Sequence, residues 1–180
     1  MNTTKITKLI STITCEKDFE DCIHLFLQED GFDTHHHVDN DNGVPDLSYG
    51  KNGINGFLEI KYGPTRRTKI RASQAKWLSK RALSGGYCFL VWYQYDKRSK
   101  EIRTFMFDYT RFMLRVVEGG LTVQTLGVLR DFLVQPLHPD SMPPATQHQY
   151  RKRRKILLAD LLKFRELSLD KKSPSMDIQV

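Results

Sequence analysis

The residues best suited to chemistry lie in one short stretch, positions 43–63, which reads GVPDLSYGKNGINGFLEIKYG. In an extended strand, residues two apart point to the same face of the sheet. Glu59 and Lys61 should therefore project together, while Leu58 and Ile60 face the opposite way into the core. We expect these two apolar neighbours to direct the charged pair outward.

A second carboxylate comes from the preceding strand if the two strands form a hairpin. The Asn-Gly dipeptide at 52–53 is a favoured two-residue turn. Closing the hairpin there places Asp46 opposite Glu59, with Cβ atoms about 5 Å apart. A second Asn-Gly dipeptide, at 55–56, would destroy this pairing, but the first turn leaves two strands of similar length and is preferred.

Paired carboxylates beside an ammonium group indicate metal-dependent phosphodiester chemistry. Two carboxylates at such a short distance repel each other unless a cation lies between them, and a hard divalent cation prefers oxygen ligands. Lys61 could orient or help deprotonate an attacking water, or stabilise the charge of a phosphorane-like transition state. A surface ion pair at a strand edge would explain Glu59 and Lys61, but it explains less well why Asp46 sits at the matching register.

These residues also form a recognisable motif. Pro45-Asp46, twelve intervening residues, and then the EIK of 59–61 resemble the PD-(D/E)xK nuclease superfamily, and the apolar Phe57 and Leu58 fit its pattern. The resemblance covers about residues 16–96 and is greatest to the Holliday-junction-resolvase-like and virus-type replication-repair branches. It implies a restriction-endonuclease-like α/β fold, with a central mixed β-sheet flanked by helices and a C-terminal helical extension.

The resemblance also implies further site residues. Relatives take a metal ligand from an acidic residue of the first helix; Glu20 has the expected position, and Glu16 is the alternative one turn earlier. Relatives often carry a glutamine on the helix after the EIK strand, which Gln74 matches. The implied ligands of Mg²⁺, with Mn²⁺ as a substitute, are Glu20, Asp46, Glu59 and the backbone carbonyl of Ile60, and the implied catalytic residues are Glu20, Asp46, Glu59, Lys61 and Gln74.

The charge of the chain favours a nucleic-acid partner. The net charge is +7 and the pI about 9.3, and the run RKRRK at 151–155 supplies five of the positive charges. A second basic cluster follows the EIK strand, where cations near the chemistry would suit phosphate binding. We expect DNA contacts from Arg66, Arg67, Lys69, Arg71, Arg151, Lys152, Arg153, Arg154 and Lys155. His35 and His37 could share a strand face as a transition-metal pair, although a plain polar face is the preferred interpretation.

Hydrophobic periodicity and turn residues predict the elements. Helices are expected over 16–30, 71–84 and 109–118, and strands over 32–39, 44–49, 56–62, 87–95 and 101–108, with 87–95 central. Residues 121–134 fit either a strand or a short helix. We predict a nuclease core over 1–135, a proline-rich linker over 136–148, and a basic helix with a disordered tail over 149–180.

Composition places the protein in a reducing intracellular compartment. The three cysteines include no CxxC pair, which argues against a disulfide framework or a structural zinc site. No apolar run approaches the roughly 20 residues that span a bilayer, and no secretory signal is recognisable. We therefore expect a cytoplasmic protein, in the host cytoplasm if it is viral.

Together these features predict a Mg²⁺-dependent endonuclease that cleaves DNA. Branched DNA such as a Holliday junction is the favoured substrate on the resemblance alone, and a homodimer is then expected because resolving a junction needs two cuts. The alternatives are an exonuclease or end-processing nuclease on linear or single-stranded DNA, an RNA-directed nuclease, and a non-catalytic DNA-binding protein.

Overall fold

The structure is a computed structural model that describes residues 3–37, 43–64, 70–95, 102–111 and 113–135. The chain divides into two compact units, Met1–Pro143 and Pro144–Val180, and every described residue belongs to the first. The linker predicted at 136–148 and the basic helix predicted from 149 lie outside the described residues.

The described part of the chain is an α/β fold with a six-stranded mixed sheet, as predicted. The strands lie in sequence order across the sheet; β3 and β4 run parallel, and every other neighbouring pair is antiparallel. A parallel pair needs a crossover connection, which α3 supplies. The helices are α1 (Thr3–Ser11), α2 (Glu16–Glu29), α3 (Ala72–Leu83) and α4 (Val123–Val134), and the strands are β1 (Asp33–His36), β2 (Leu47–Lys51), β3 (Ile54–Pro64), β4 (Tyr87–Tyr95), β5 (Ile102–Asp108) and β6 (Met113–Glu118).

Helix α2 forms where the apolar spacing predicts it. Its inward face is fully buried and consists of Phe19, Cys22, Ile23, Phe26 and Leu27. The helix ends at Glu29, and Gly31 follows with a φ of 80°, which allows the amides of Gly31 and Phe32 to bond to the carbonyls of Gln28 and Leu27. The buried face holds α2 against the core and so places the acidic residues of its N-terminal turn.

The β2–β3 hairpin closes at the first of the two candidate turns. Asn52 and Gly53 have φ values of 51° and 81°, as a two-residue turn of this type requires. The register runs from Lys51↔Ile54 to Leu47↔Leu58. Continuing it by one residue brings Asp46 opposite Glu59, so the predicted pairing scheme is correct.

The sheet has one face in the main core. Leu58 and Ile60 of β3 and Phe89 and Val91 of β4 pack there against α2 and α4. Strand β4 lies between β3 and β5, which confirms its predicted central place.

The predicted helix at 109–118 is wrong, because this segment supplies strand β6, paired antiparallel with β5. Asp108 ends β5 and accepts hydrogen bonds from the amides of Thr110 (2.7 Å) and Arg111 (2.9 Å). This side chain stabilises a reversal rather than a helix start, and the β-branched Val116 and Val117 then favour a strand.

Two of the observed helices were not assigned from the sequence: α4 was left undecided and α1 was not predicted. The undecided segment 121–134 contains α4, which begins where the Thr122 hydroxyl accepts a hydrogen bond from the amide of Thr125 at 3.0 Å. Helix α1 was not predicted, and it is tied to the core by the fully buried Ile6. Among the described residues, no helix is both long enough and apolar enough to cross a bilayer.

Candidate active site

The hairpin and the loop before it position Asp46. Asp46 lies directly before β2, and its Oδ2 accepts a hydrogen bond of 2.6 Å from the amide of Ile60 on β3. Its backbone carbonyl accepts a hydrogen bond from the amide of His37, just beyond β1. The Asp46 side chain is therefore bonded to β3, and its backbone is bonded to the residue that follows β1.

The loop before Asp46 lies against the start of α3 at a glycine. Gly43 has a φ of 70°, and a Cβ at this position would lie only 2.4 Å from the backbone carbon of Ser73. Only glycine fits both constraints. Gly43 thus allows the segment that carries Asp46 to pack closely against the start of α3.

Glu59 and Lys61 share one face of β3, as predicted, but the expectation that they point outward into solvent is wrong. Glu59 is fully buried and Lys61 is only 7% exposed. Glu16, in the first turn of α2, reaches over this end of β3 and accepts a hydrogen bond from the amide of Tyr62. The pair is thereby enclosed, a result that depends on how α2 packs.

The Lys61 ammonium is the point on which the acidic groups converge. Its Nζ lies 2.7 Å from Glu59 Oε1, 3.0 Å from Glu16 Oε1 and 3.8 Å from Asp46 Oδ2. It also donates a hydrogen bond of 2.8 Å to the carbonyl of Ile60. Asp46 and Glu59 are therefore aimed at one place, as the hairpin register requires.

Burial sets the electrostatics of this group. Burial, together with the nearby Asp46 charge, raises the pKa of Glu59 to about 7, although Lys61 opposes the shift. Burial also raises the pKa of Asp46, against the effects of Lys61 and the Ile60 amide. Burial lowers the pKa of Lys61, but the Glu59, Asp46 and Glu16 carboxylates outweigh it and hold that pKa above its usual value.

The Glu59 carboxylate depends on Lys61 for its pairing. The Lys61 Nζ lies 2.7 Å from Glu59 Oε1. Both carboxylate oxygens are buried, and among the described residues no backbone amide or hydroxyl group donates a hydrogen bond to them. A buried carboxylate without donors is costly unless it is paired or binds a metal.

The residues present fit a divalent cation. Asp46, Glu59 and the Ile60 carbonyl offer oxygens in one place, and Mg²⁺ is usually bound by one or two carboxylates together with water and substrate phosphate. Among the described residues, however, no three acidic, histidine or cysteine side chains group closely enough to hold a metal. Two carboxylates and a carbonyl are what the protein itself brings to this point.

Glu20, the predicted first-helix ligand, makes other contacts. Its Oε1 contacts Nδ1 of His36 and lies 3.2 Å from Nζ of Lys17. It is still close enough to Asp46 to add to the raised pKa of that carboxyl, after burial. Glu16, the alternative, touches Lys61 directly. The structure thus brings Glu16, Asp46, Glu59 and Lys61 together and places Glu20 beside them.

Gln74 and Arg71 lie at the start of α3. Gln74 is buried, and its Oε1 accepts a hydrogen bond of 3.0 Å from the amide of Arg71. Gln74 therefore stabilises the helix start next to the Gly43 contact. The other predicted DNA-contacting residues, Arg66, Arg67, Lys69 and Arg151 to Lys155, lie outside the described residues.

The neighbouring histidines make separate contacts. His35 is exposed and pairs with Asp33 at 3.1 Å, whereas His37 follows the end of β1 and packs near Phe57. His36 contacts Glu20, and its ring lies 4.1 Å from that of His24. No spacing pattern reveals the His36–Glu20 contact, since it depends on how β1 packs against α2.

Comparisons with known proteins add little to this geometry. No protein-family model matches the chain, and no curated protein matches it significantly. Solved structures that match include Hjc of Archaeoglobus fulgidus, a Holliday junction resolvase from an archaeal hyperthermophile. The two chains are 15% identical, the match covers 62% of this chain and 97% of Hjc, and the TM-score is 0.39. Both the identity and the TM-score are low.

Proposed function

We propose that this protein is a metal-dependent endonuclease that hydrolyses phosphodiester bonds in DNA. The observation that carries the proposal is the convergence of Asp46 and the fully buried Glu59 on the Lys61 ammonium. A surface ion pair would be exposed and would contribute little. Enclosed charges at such density are instead typical of functional sites.

Each residue has a role that follows from its position. Asp46, Glu59 and the Ile60 carbonyl would hold Mg²⁺ or Mn²⁺, with Glu20 as a further ligand. Such a cation stabilises charge on a phosphoryl oxygen and lowers the pKa of bound water. The Ile60 amide fixes one Asp46 oxygen through its hydrogen bond. Lys61, an ammonium held beside these carboxylates, would orient the attacking water and stabilise the negative charge that develops.

The choice of substrate follows from the resemblance of the motifs and from the basic residues. The PD and EIK motifs resemble those of junction-resolving nucleases, which favours branched DNA and a homodimer that makes two cuts. The basic residues at 66–71 and 151–155 would bind the phosphate backbone without reading sequence. Gln74, beside the Asp46 loop, would contact water or phosphate.

Cleavage by point variants tests the activity. Wild-type protein with Mg²⁺ should cut a four-way junction, and Asp46→Ala or Lys61→Ala should lose roughly three orders of magnitude or more in rate. DNA binding by Asp46→Ala should survive or become tighter, because a charge that repels phosphate is gone. A non-catalytic DNA-binding protein would instead show no Mg²⁺-dependent cleavage in the wild type.

A substrate panel separates the branched-DNA proposal from its alternatives. The same preparation is given four-way junctions, linear duplex, single-stranded DNA and RNA at equal concentrations. Faster cleavage of the junction supports a resolvase. Equal or faster cleavage of linear or single-stranded DNA would point to end processing, and preferential cleavage of RNA would overturn the DNA assignment.

A further inference from the structure

We propose that Glu16 is the counter-ion and positioning residue of Lys61 rather than a ligand of the metal. On this view, the Lys61 ammonium would pair with Glu16 when Glu59 and the Ile60 carbonyl hold a metal. The inference rests on the proposed function, since it concerns the same site. It also separates two acidic residues, Glu16 and Glu20, which sequence reasoning leaves as alternatives.

The contacts of the ammonium lead to this assignment. The Lys61 Nζ lies among the oxygens that a divalent cation would need, at 2.7 Å from Glu59 Oε1 and 2.8 Å from the Ile60 carbonyl. A divalent cation bound to Glu59 Oε1 and the Ile60 carbonyl, at about 2.1 Å from each, would lie close to the point that this ammonium occupies. Lys61 would therefore move off these two oxygens when such a cation binds.

Only one acceptor then remains for the buried ammonium among the groups it now contacts. Asp46 and Glu59 balance the two charges of the metal, and a buried ammonium without a carboxylate is strongly disfavoured. Glu16 Oε1 already lies 3.0 Å from Lys61 Nζ. The charges of Asp46, Glu59, Glu16, Lys61 and a divalent cation then sum to zero.

Glu16 is also fixed by its second oxygen. Its Oε2 accepts a hydrogen bond of 3.2 Å from the backbone amide of Tyr62, the residue after Lys61. This bond ties the carboxylate to the strand that carries the lysine. Glu16 can then hold the ammonium beside the metal while Glu20, one turn further along α2, stays available to the metal side.

A double-mutant cycle on metal affinity, read by calorimetric titration of Mn²⁺ into the full chain, tests the inference. Lys61→Met should bind Mn²⁺ about tenfold more tightly than wild type, because a competing charge is removed. Glu16→Gln should bind about tenfold more weakly, because Lys61 then stays on Glu59. Combined with Lys61→Met, Glu16→Gln should change the affinity less than about twofold.

Glu20→Gln serves as the matched control on the same helix. As a ligand change, it should weaken Mn²⁺ binding by a similar factor with or without Lys61. Circular dichroism melting checks that each variant folds, and Lys61→Gln replaces Lys61→Met if the latter does not. Glu16→Gln should also lower kcat on DNA while leaving KM unchanged.

Two outcomes would overturn the inference. Glu16→Gln could weaken Mn²⁺ binding equally in both backgrounds, which would make Glu16 a ligand. Alternatively, Lys61→Met could leave the Mn²⁺ affinity unchanged or weaken it, which would show that the Lys61 ammonium does not compete with the metal. The titration needs no DNA, so Mn²⁺ binding without any cleavage would overturn the proposed nuclease activity while the cycle still decides the role of Glu16.

Discussion

Glu59 is the residue whose environment most needs an explanation. It is fully buried, its partner among the described residues is the Lys61 ammonium, and its pKa is raised to about 7, chiefly by burial. A purely structural buried carboxylate would be expected to have further hydrogen-bond donors. A buried carboxylate with one charge partner is suited to binding a further cation.

The raised pKa of Glu59 predicts how stability depends on pH when metal is chelated. The folded protein keeps a proton on Glu59 up to about pH 7, whereas the unfolded chain releases it near the ordinary value of 4.5. The stability that this group contributes is fully present below its ordinary pKa of 4.5 and is lost as the pH rises through 7. The loss amounts to about 3 kcal/mol in the free energy of unfolding. Urea unfolding of wild type and Glu59→Gln in a chelator, from pH 4.5 to 8, should show a smaller loss in the variant.

Glu118→Gln is a suitable control, because that side chain is exposed on β6, and it should follow the wild type at every pH. Mg²⁺ at pH 7.5 should stabilise wild type more than Glu59→Gln. An identical pH dependence in wild type and Glu59→Gln would show that Glu59 is not held in its protonated form.

At the scale of single residues, the sequence predicts which side chains lie close together but not that they are buried. The turn at 52–53 and the two-residue period of a strand were enough to place Asp46, Glu59 and Lys61 together. The burial of Glu59 and the contact of Glu16 with Lys61 could not be read in the same way. Both depend on how α2 packs over the end of β3.

Among the elements, α3 and the Asp46 loop depend on each other through Gly43. A Cβ at Gly43 would lie 2.4 Å from Ser73 C and 2.7 Å from Gln74 N, both backbone atoms that cannot move alone. Gly43→Ala should therefore shift the loop, cost about 2–3 kcal/mol of stability and weaken Mn²⁺ binding. Urea unfolding and calorimetry measure the two effects.

Gly85→Ala is the matched control for this change. Gly85 also has a positive φ, of 81°, but a Cβ there would meet nothing within 4 Å. It should cost about 1 kcal/mol through the backbone alone and leave Mn²⁺ affinity unchanged. Equal effects of both variants on Mn²⁺ binding would mean that Gly43 does not position the site.

The elements themselves were largely readable from the sequence, and the exception is informative. Strong periodicity placed α2, α3 and β4 within a few residues of their observed bounds. Segment 109–118 was predicted as a helix but supplies β6. The Asp108 carboxylate stabilises the turn into this strand, and the strand itself depends on pairing with β5.

For the whole molecule, charge predicts how DNA binding responds to salt. If Arg151 to Lys155 bind phosphates, each contact releases a counterion, and replacing all five with glutamine should flatten the salt dependence of the binding constant by up to about 4.5 log units per log unit of salt. Cleavage at saturating DNA should be unchanged. Fluorescence anisotropy across a salt series measures the slope.

The control replaces Lys76 and Lys80, which are exposed on α3, with glutamine, and this variant should keep the wild-type slope. An unchanged slope after the five substitutions at 151–155 would remove that segment from the DNA-binding surface. The site around Asp46 would not be affected by that result.

The most direct test of the whole account is the stoichiometry and affinity of Mn²⁺ binding to wild type, Asp46→Asn and Asp33→Asn, measured by calorimetry. Asp33 is an exposed carboxylate that pairs with His35 away from the site. The account predicts that Asp33→Asn binds as wild type does, while Asp46→Asn loses about 100-fold or more in affinity. Equal Mn²⁺ binding by Asp46→Asn and wild type would show that Asp46 does not share a cation with Glu59, and the nuclease assignment would be contradicted.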